Sequence, residues 1–270
     1  MNQLRSARLN LSIVLPCYNP KPGWHLELYQ HYQEIRTSLP PDLKIELIVV
    51  NDGSPLEPTA AAKRYLAKRC PYFRFISYNN NMGKGYAVRK GVEAARSPYI
   101  IYTDIDFPYT VADLCRVYQT LVNDSADVVM GVREARYGLQ LSWLRRAASN
   151  TCNFLNKTLL NLPHKDVQSG LKGMNSMGRE LLLQTTINRF LFDTEFIWMA
   201  RTYSNVRIKA IPVTLRDAVV FTSMSSAVYM KEAGNFCRIL AKDTLLSLRN
   251  LDAEFAPPLQ RSAQLRPGRV

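Results

Sequence analysis

Two acidic residues, Asp104 and Asp106, stand one residue apart at the end of the apolar run in "YIIYTDIDFPY". Residues i and i+2 of an extended segment point the same way, so the two carboxylates can converge on one place. Converging hard oxygen donors suit Mg²⁺ or Mn²⁺, whose shell is completed by water and substrate phosphates. The pair therefore predicts a metal site or, as the alternative, two aspartates that cap a loop or a helix.

A further acid and a glycine-flanked lysine stand in comparable places. Asp52 in "VVNDGS" follows an apolar run, where it could bind a base or a ribose, or hold the turn that Gly53 signals. Gly83 and Lys84 in "NNNMGKGYAVRKG" come just before a helical pattern. Phosphates favour such helix N-termini, although the glycine spacing is neither that of the P-loop nor that of the dinucleotide fingerprint.

The second half of the chain contributes two more candidate groups. "DVQSGLKGM" predicts a loop that faces the same site through Asp166, Ser169, Gly170 and Lys172. "RFLFDTEF" places Asp193 and Glu195 at the start of a helix. These two acids could act as a general base toward a hydroxyl acceptor, or simply complement the helix dipole.

The polar clusters follow apolar segments that alternate with helical patterns. Strands are predicted at "LNLSIVLPCYN", "KIELIVVNDGS", "FRFISYN", "PYIIYTDID" and "ADVVMGVR", and helices over 24–39, 57–68, 83–95 and 111–122. Such alternation predicts an α/β fold with a Rossmann-like, mostly parallel sheet that helices cover on both faces. Ligands bind beyond the carboxyl ends of the strands in such a sheet, so the polar clusters would meet on one rim.

The charge balance narrows the choice of partner. The chain carries 35 basic against 22 acidic residues, a net charge of +13, which attracts an anionic partner. Nucleic acid is disfavoured because the sequence has no recognition motif for it. Segments 142–161 and 226–250 are amphipathic and basic, which predicts C-terminal helices that dock on an anionic membrane surface or, alternatively, pack on the core. Without a membrane-spanning run or a signal-peptide pattern, we expect a cytoplasmic protein, peripheral at the inner membrane face.

Taken together and in this order, the motifs resemble those of the family 2 glycosyltransferases with a GT-A fold, over residues 11–216. "LPCYN", "NDGS", "NNNMGKGYAVRKG" and "TDID" are similar to the family's P-x-Y-N, D-D-G-S, Gly-Lys-Gly and D-x-D motifs. Within the family, "DVQSGLKGM" and "FDTEFIWMAR" look most like the second half of the dolichyl- or polyprenyl-phosphate sugar synthases. The resemblance implies a single GT-A domain over 1–252, with a nucleotide-sugar-binding half (11–135) and an acceptor half (136–252), and we expect a flexible basic tail at 253–270.

The resemblance also implies roles for individual residues. Asp104 and Asp106 would act in catalysis by holding the metal, and Asp193 and Glu195 are the further catalytic candidates. The nucleotide sugar would contact Pro16, Tyr18, Asn19, Asp52, Gly83, Lys84, Asp104, Arg133, Arg201 and Arg216. Pro108 stands where the family often has a glutamine or histidine ligand, and Met224 where a loop lysine is expected. The remaining metal ligands would then come from water, phosphate or a distant residue.

The implied activity is inverting transfer of a sugar from a UDP- or GDP-linked donor to a polyprenyl or dolichyl phosphate, with Mg²⁺ or Mn²⁺ as cofactor. A phosphate oxygen is already anionic at neutral pH, so this acceptor needs no general base. Two alternatives stay open at this point. One is transfer to a saccharide or other hydroxyl, which needs Asp193 or Glu195 as a base, and the other is a nucleotide-sugar binder without catalysis.

Overall fold

The computed structural model describes residues 9–56, 58–123, 125–133, 151, 153–162, 166–203, 205–216 and 226–255. Strands and helices alternate along these residues, with a further helical segment at 153–158. The elements are β1 (Leu11–Cys17), α1 (Trp24–Ser38), β2 (Ile45–Asp52), α2 (Ala60–Arg69), β3 (Phe73–Tyr78), α3 (Lys84–Ala94), β4 (Tyr99–Tyr102), α4 (Val111–Val122), β5 (Val128–Arg133), β6 (Lys172–Met174), α5 (Ser176–Gln184), α6 (Phe192–Thr202), β7 (Ile208–Val213) and α7 (Ser226–Phe255).

The strands form one sheet in the order β3-β2-β1-β4-β6-β5-β7. Every neighbouring pair is parallel except the two that include β6. All residues of β1 and β2 are buried, which explains why these strands have continuous apolar runs instead of an alternating pattern. The predicted α/β class with a mostly parallel sheet is confirmed.

Strand β6 corrects the prediction that "DVQSGLKGM" is a loop. Lys172–Met174 pairs antiparallel with both β4 and β5, with Lys172 opposite Tyr102 and Met130. Three residues with a central glycine are too few to show any periodicity, so only the tertiary pairing reveals this strand. Because β6 runs the other way, its first residue lies beside the carboxyl ends of its neighbours. The segment before β6 is thereby brought to the predicted rim.

Helices cover the sheet on both faces. Alternate residues of β1, such as Ile13 and Leu15, belong to the apolar core that includes residues of α1, α2 and α4. Val14 points the opposite way, toward α3, where an added Cβ on Gly91 would lie 2.3 Å from its Cγ1 atom. Helices α5 and α6 contact each other, and α5 contacts α3. The period-two alternation of β1 therefore divides its side chains between two helical layers.

Helix starts follow local capping chemistry. Helix α4 begins with a capping box, in which the Thr110 hydroxyl accepts from the Asp113 amide and the Asp113 carboxylate accepts from the Thr110 amide. Helix α2 begins at Ala60, later than predicted, because the Thr59 hydroxyl caps it by accepting from the Ala62 amide at 3.2 Å. The observed bounds of the other predicted helices in the first half differ by at most one residue.

The chain divides into two compact units, residues 1–223 and 224–270. Strands from both predicted halves share the one sheet of the first unit, whereas the predicted single domain over 1–252 stays a prediction. Helix α7 belongs to the second unit, where Phe236 and Ile239 are buried while Met230, Leu245 and Leu248 are exposed. No described helix is long and apolar enough to cross a membrane. Half of segment 142–161, Met224 and residues 256–270 of the predicted tail lie outside the described residues.

Candidate active site

The aspartate loop, residues 104–109, begins two residues after β4 ends. The Asp104 side chain is one-third exposed at 35%, and Asp106 is exposed. Desolvation by the surrounding chain and repulsion from the Asp104 charge raise the pKa of Asp106. Phe107, the next residue, has a left-handed backbone at φ 44°, a conformation that is rare and costly for a bulky residue. The loop thus holds two coupled carboxylates at the rim in a strained turn.

Lys84 pairs directly with the first of these acids. Lys84 is the first residue of α3, and its Nζ atom lies 2.5 Å from Asp104 Oδ1. Burial lowers the pKa of Lys84, but the charges of Asp104 and Asp193 outweigh it and the pKa is raised, so the side chain is cationic at neutral pH. Gly170 packs closely against this ion pair, because an added Cβ at Gly170 would lie 2.5 Å from Asp104 Oδ2. The structure therefore brings Lys84, Asp104 and Gly170 together.

Asp193 and Lys172 form a second ion pair beneath the first. The Lys172 Nζ atom lies 2.7 Å from Asp193 Oδ1 and donates to the Ser169 carbonyl at 2.6 Å. The Tyr102 hydroxyl donates to the same Asp193 oxygen at 2.5 Å. Lys172 is fully buried, and burial lowers its pKa more than Asp193 raises it. Lys172 was predicted to face the acceptor, but its ammonium group is directed at protein oxygens.

Glu195 is fully buried one turn into the same helix, α6. Its carboxylate accepts from the Thr186 amide at 2.8 Å, the Thr186 hydroxyl at 2.9 Å and the Ile187 amide at 2.8 Å. These contacts anchor the segment that leads into α6. In the hydroxyl-acceptor alternative, Glu195 is a candidate general base. In the structure, however, its carboxylate binds backbone amides and a hydroxyl of the protein and does not lie at the rim.

Asp52 lies at the end of β2, and its buried carboxylate orders the loop before α3. It accepts from the Tyr78 hydroxyl at 2.9 Å and from the amides of Met82 and Gly83 at 2.8 and 2.9 Å. Gly83 has φ 105°, and an added Cβ there would meet the Asn188 carbonyl oxygen at 2.4 Å. The turn-holding alternative for Asp52 is therefore the one that the geometry favours, and a contact with base or ribose stays a prediction.

The loop after β1 lies beside the loop after β2. Asn19, left-handed at φ 48°, donates its amide to the Ser54 hydroxyl at 2.8 Å, and Ser54 donates to Asn51 Oδ1 at 2.5 Å. Tyr18 is 53% exposed at the rim, whereas Pro16 is buried within β1. An exposed aromatic ring beside polar backbone suits a flat base, so Tyr18 and Asn19 keep their predicted role as candidates for donor binding.

Arg133 and Asp166 pair at the end of β5. Asp166 Oδ2 accepts from the Arg133 amide at 2.9 Å and from its Nε atom at 2.7 Å, and a second guanidinium nitrogen contacts Oδ1. Both side chains are largely buried. Asp166, left-handed at φ 63°, also accepts at its carbonyl from the Ser169 amide at 3.1 Å. The pair fixes the segment that carries Ser169 and Gly170.

The two remaining arginines lie in different places. The Arg216 amide donates to the Pro108 carbonyl at 3.0 Å, so this residue lies against the aspartate loop. Arg201 is in the last turn of α6 and donates to the Leu160 carbonyl at 3.0 Å. Eight residues of helix separate it from Asp193, about 12 Å along the axis. The structure thus brings Arg216 to the aspartate loop, whereas the Arg201 guanidinium binds the Leu160 carbonyl.

Sequence reasoning missed two tyrosines. The Tyr109 hydroxyl lies 3.1 Å from Ser169 Oγ and 3.0 Å from the Gly170 amide, and burial raises its pKa to about 12. Tyr102 holds Asp193, as described above. Tyr102 is the last residue of β4 and precedes Asp104 by two residues, a signal that could have identified it. Tyr109 had no comparable signal, because its partners are distant in sequence.

Asp104 and Asp106 have the chemistry of a divalent-cation site. Both are hard oxygen donors, and their charges lie close enough for Asp104 to contribute to the raised pKa of Asp106, after desolvation. Within the described ranges, no third His, Cys, Asp or Glu joins them as a ligand group. Mg²⁺ is commonly bound by one or two carboxylates together with water and substrate phosphates, so the residues fit.

Comparison with known proteins identifies the fold and the family. The sequence profile described as Glycosyl transferase family 2 matches residues 12–185, which hold the predicted motifs from the first strand through "DVQSGLKGM". The chain belongs to glycosyl transferase family 2. The family resemblance stated from the motifs is thereby confirmed.

Two relatives of this chain have names that contain dolichyl phosphate or dodecaprenyl phosphate. A dolichyl-phosphate beta-glucosyltransferase of Dictyostelium discoideum is 26% identical over 233 residues, covering 82% of this chain and 71% of the relative. A dodecaprenyl-phosphate galacturonate synthase of Rhizobium johnstonii is 26% identical over 208 residues, covering 76% of this chain and 59% of the relative. The chain thus spans from about three-fifths to seven-tenths of the length of these two relatives.

A solved structure of similar fold supports the fold assignment. The glucosyl-3-phosphoglycerate synthase of Mycobacterium tuberculosis, in complex with Mn²⁺, UDP-glucose and phosphoglyceric acid, superposes with a TM-score of 0.55. It is 16% identical, and the match covers 86% of this chain and 77% of that one. The predicted GT-A fold is confirmed.

Proposed function

We propose that this family 2 glycosyltransferase transfers a sugar, with inversion, from a nucleoside-diphosphate sugar to a polyprenyl phosphate. One observation carries the choice of acceptor. Asp193 and Glu195, the two candidate bases for a hydroxyl acceptor, are buried and hydrogen-bonded within the protein, whereas Asp104 and Asp106 lie at the rim. A phosphate acceptor needs no base, because its oxygen is already anionic. The names of the relatives support the same class of acceptor.

The chemical difficulty is the negative charge that builds on the departing nucleoside diphosphate. Asp106 and Asp104 would hold a Mg²⁺ or Mn²⁺ ion, which when bound neutralises that charge. Lys84 keeps Asp104 oriented through the 2.5 Å ion pair and adds a permanent positive charge beside it. Arg216 supplies a second cation next to the same loop. These groups are fixed before the donor arrives, so little reorganisation is needed during the reaction.

The acceptor side is built from the segment before β6. Gly170 lies directly against the Asp104 carboxylate, where an added Cβ would be 2.5 Å from Oδ2, so the segment before β6 adjoins the proposed metal and donor site. Arg133, held by Asp166, and the Tyr109 hydroxyl fix this segment from two sides. Ser169 is buried by these contacts. Because its side chains are held by these contacts, the segment presents mainly backbone beside Asp104. We propose that it positions the acceptor.

A lipid phosphate lies at a membrane surface, and helix α7 has a suitable face. Met230, Leu245 and Leu248 are exposed and lie within about 60° of one another around the helix. Lys231, Arg238 and Lys242 follow one edge of this stripe at i, i+7 and i+11. Exposed apolar residues beside basic ones suit an anionic leaflet. We propose peripheral attachment at the cytoplasmic membrane face.

Two other functions would place different demands on the site. Transfer to a saccharide hydroxyl would require a base other than the buried Asp193 and Glu195. A binder without catalysis would retain nucleotide affinity but form no product. Neither has a specific observation in its favour.

The test is sugar transfer from radiolabelled UDP- and GDP-sugars to polyprenyl phosphate, run beside a panel of saccharide acceptors. We expect labelled lipid that requires Mg²⁺ or Mn²⁺ and is lost in Asp106→Ala. Labelled saccharide without labelled lipid would refute the acceptor assignment. Incorporation that Asp106→Ala leaves unchanged would refute the metal assignment.

A further inference from the structure

The aspartate loop is held on its far side by Arg216. The Arg216 amide donates to the Pro108 carbonyl at 3.0 Å, and its Nη1 atom donates to the Phe107 carbonyl at 3.4 Å. The neighbouring residues Tyr109 and Leu215 form an antiparallel β-bridge. These contacts follow directly after Asp106 and include the strained Phe107. The position of the Asp106 carboxylate thus depends on where Arg216 is held.

His31 of helix α1 holds the Arg216 side chain. Its Nε2 atom lies 2.6 Å from Arg216 Nη1, and the residue is buried at 7% exposure. A guanidinium can only donate, so Nε2 is the acceptor and carries no proton. The proton is then on Nδ1, which donates to Glu34 Oε2 at 3.3 Å. The imidazole ring also lies against the Phe107 ring, with centroids 4.8 Å apart and planes tilted by 31°.

The electrostatic surroundings agree with a neutral ring. Burial lowers the pKa of His31, and the Arg216 charge lowers it further. Glu34 and Glu27, on the same helix, act in the opposite direction but do not outweigh burial. The neutral form is the one that can accept from Arg216. A protonated ring would place two cations in contact and remove the acceptor.

We propose that His31 is a positioning residue for the reaction: it holds Arg216, and Arg216 holds the aspartate loop. This chain of contacts, Glu34–His31–Arg216–Phe107, links helix α1 to the residue after Asp106. This inference rests on the proposed function in one respect, namely that the aspartate loop binds the donor and the metal. The ordering of the loop by His31 can be measured without any substrate.

The experiment compares His31→Phe, which keeps a ring but removes the acceptor, with His31→Gln, which places an acceptor oxygen near the position of Nε2. Amide hydrogen exchange of the peptide that covers residues 104–109 reports loop order, and calorimetry with Mn²⁺ plus UDP, and separately plus GDP, reports binding. We expect faster exchange and about tenfold weaker binding in His31→Phe, with both values near wild type in His31→Gln. His25→Gln, on the same helix, is the matched control and should change neither.

A double-variant cycle separates positioning from general damage. Arg216→Gln should speed exchange of the same peptide, and His31→Phe added to it should have little further effect, because both act through one contact. Additive effects, or wild-type exchange of the peptide in His31→Phe, would overturn the proposal. If wild-type protein binds neither nucleotide, the proposed function fails, and the exchange measurements still decide the role of His31.

Discussion

At the residue scale, Gly170 shows how the site depends on the absence of a side chain. Its backbone is not in the left-handed region, so an alanine there meets no conformational barrier. The obstacle is space, because an added Cβ would lie 2.5 Å from Asp104 Oδ2 and 3.4 Å from Lys84 Nζ. A methyl group would therefore displace the carboxylate or the segment before β6. Either shift misplaces the groups that would hold the donor.

We expect Gly170→Ala to lower kcat/KM for sugar transfer by about 10- to 100-fold, since small misplacements of catalytic groups have effects of this size. Gly234→Ala is the matched control, because an added Cβ at Gly234 meets nothing within 4 Å. That variant should keep its activity and gain roughly 0.4–1 kcal/mol in the free energy of unfolding. Equal activity of the two variants would contradict the close approach.

Single residues also mark the limit of prediction from sequence. Asp104 and Asp106 could be placed at the rim because a strand's period and the parallel-sheet rule are both local signals. The Lys84–Asp104 pair could not, because it depends on how α3 packs over β1 and β2. Glu195 was assigned to catalysis from its place near a helix start, and its burial became visible only with the packing of Thr186 and Ile187. Residue type and position do not show which way a side chain is directed.

At the element scale, the second half of the sheet is fastened by Asp127, just before β5. Its carboxylate accepts from the Arg207 amide at 2.9 Å and Nε atom at 3.0 Å, and from Asn175 Nδ2 at 2.8 Å. These residues flank β5, β6 and β7. The hydrogen bonds from Arg207 lower the pKa of Asp127 to about 2. This part of the sheet was only partly predictable, since β5 has a clear apolar run but the three residues of β6 have no sequence signal.

Because the pKa of Asp127 is lower in the folded state than its ordinary value of 3.8, its stabilising effect is complete above pH 3.8 and is lost as the pH falls toward about 2. Asp127→Asn should lower the free energy of unfolding at pH 7 by roughly 1–3 kcal/mol, measured by urea denaturation. The loss relative to wild type should shrink at acid pH. The exposed Asp42, changed to Asn, is the control and should behave as wild type, and a constant loss at all pH values would contradict this account.

At the scale of the whole molecule, the net charge of +13 and the face of α7 act together. A general positive charge attracts the chain to any anionic surface, whereas the proposed attachment uses the basic edge beside exposed Met230, Leu245 and Leu248 to select one surface of the helix. The amphipathic pattern of α7 was legible in the sequence. Which of its apolar residues are buried was not, because Phe236 and Leu245 are equally apolar and only the structure separates them.

Two variants with the same charge change distinguish these effects. The first replaces Lys231, Arg238 and Lys242 of α7 with glutamine, and the second replaces Lys63, Arg64 and Lys68 of α2. Each basic side chain near an anionic surface contributes about 1 kcal/mol, so the α7 variant should lose on the order of 100-fold in partitioning to phosphatidylglycerol vesicles. The α2 variant should lose much less, because α2 has no large exposed apolar side chain beside its changed residues. Co-sedimentation at several salt concentrations measures both, and equal losses would mean that net charge alone, and no particular face, brings this protein to a membrane.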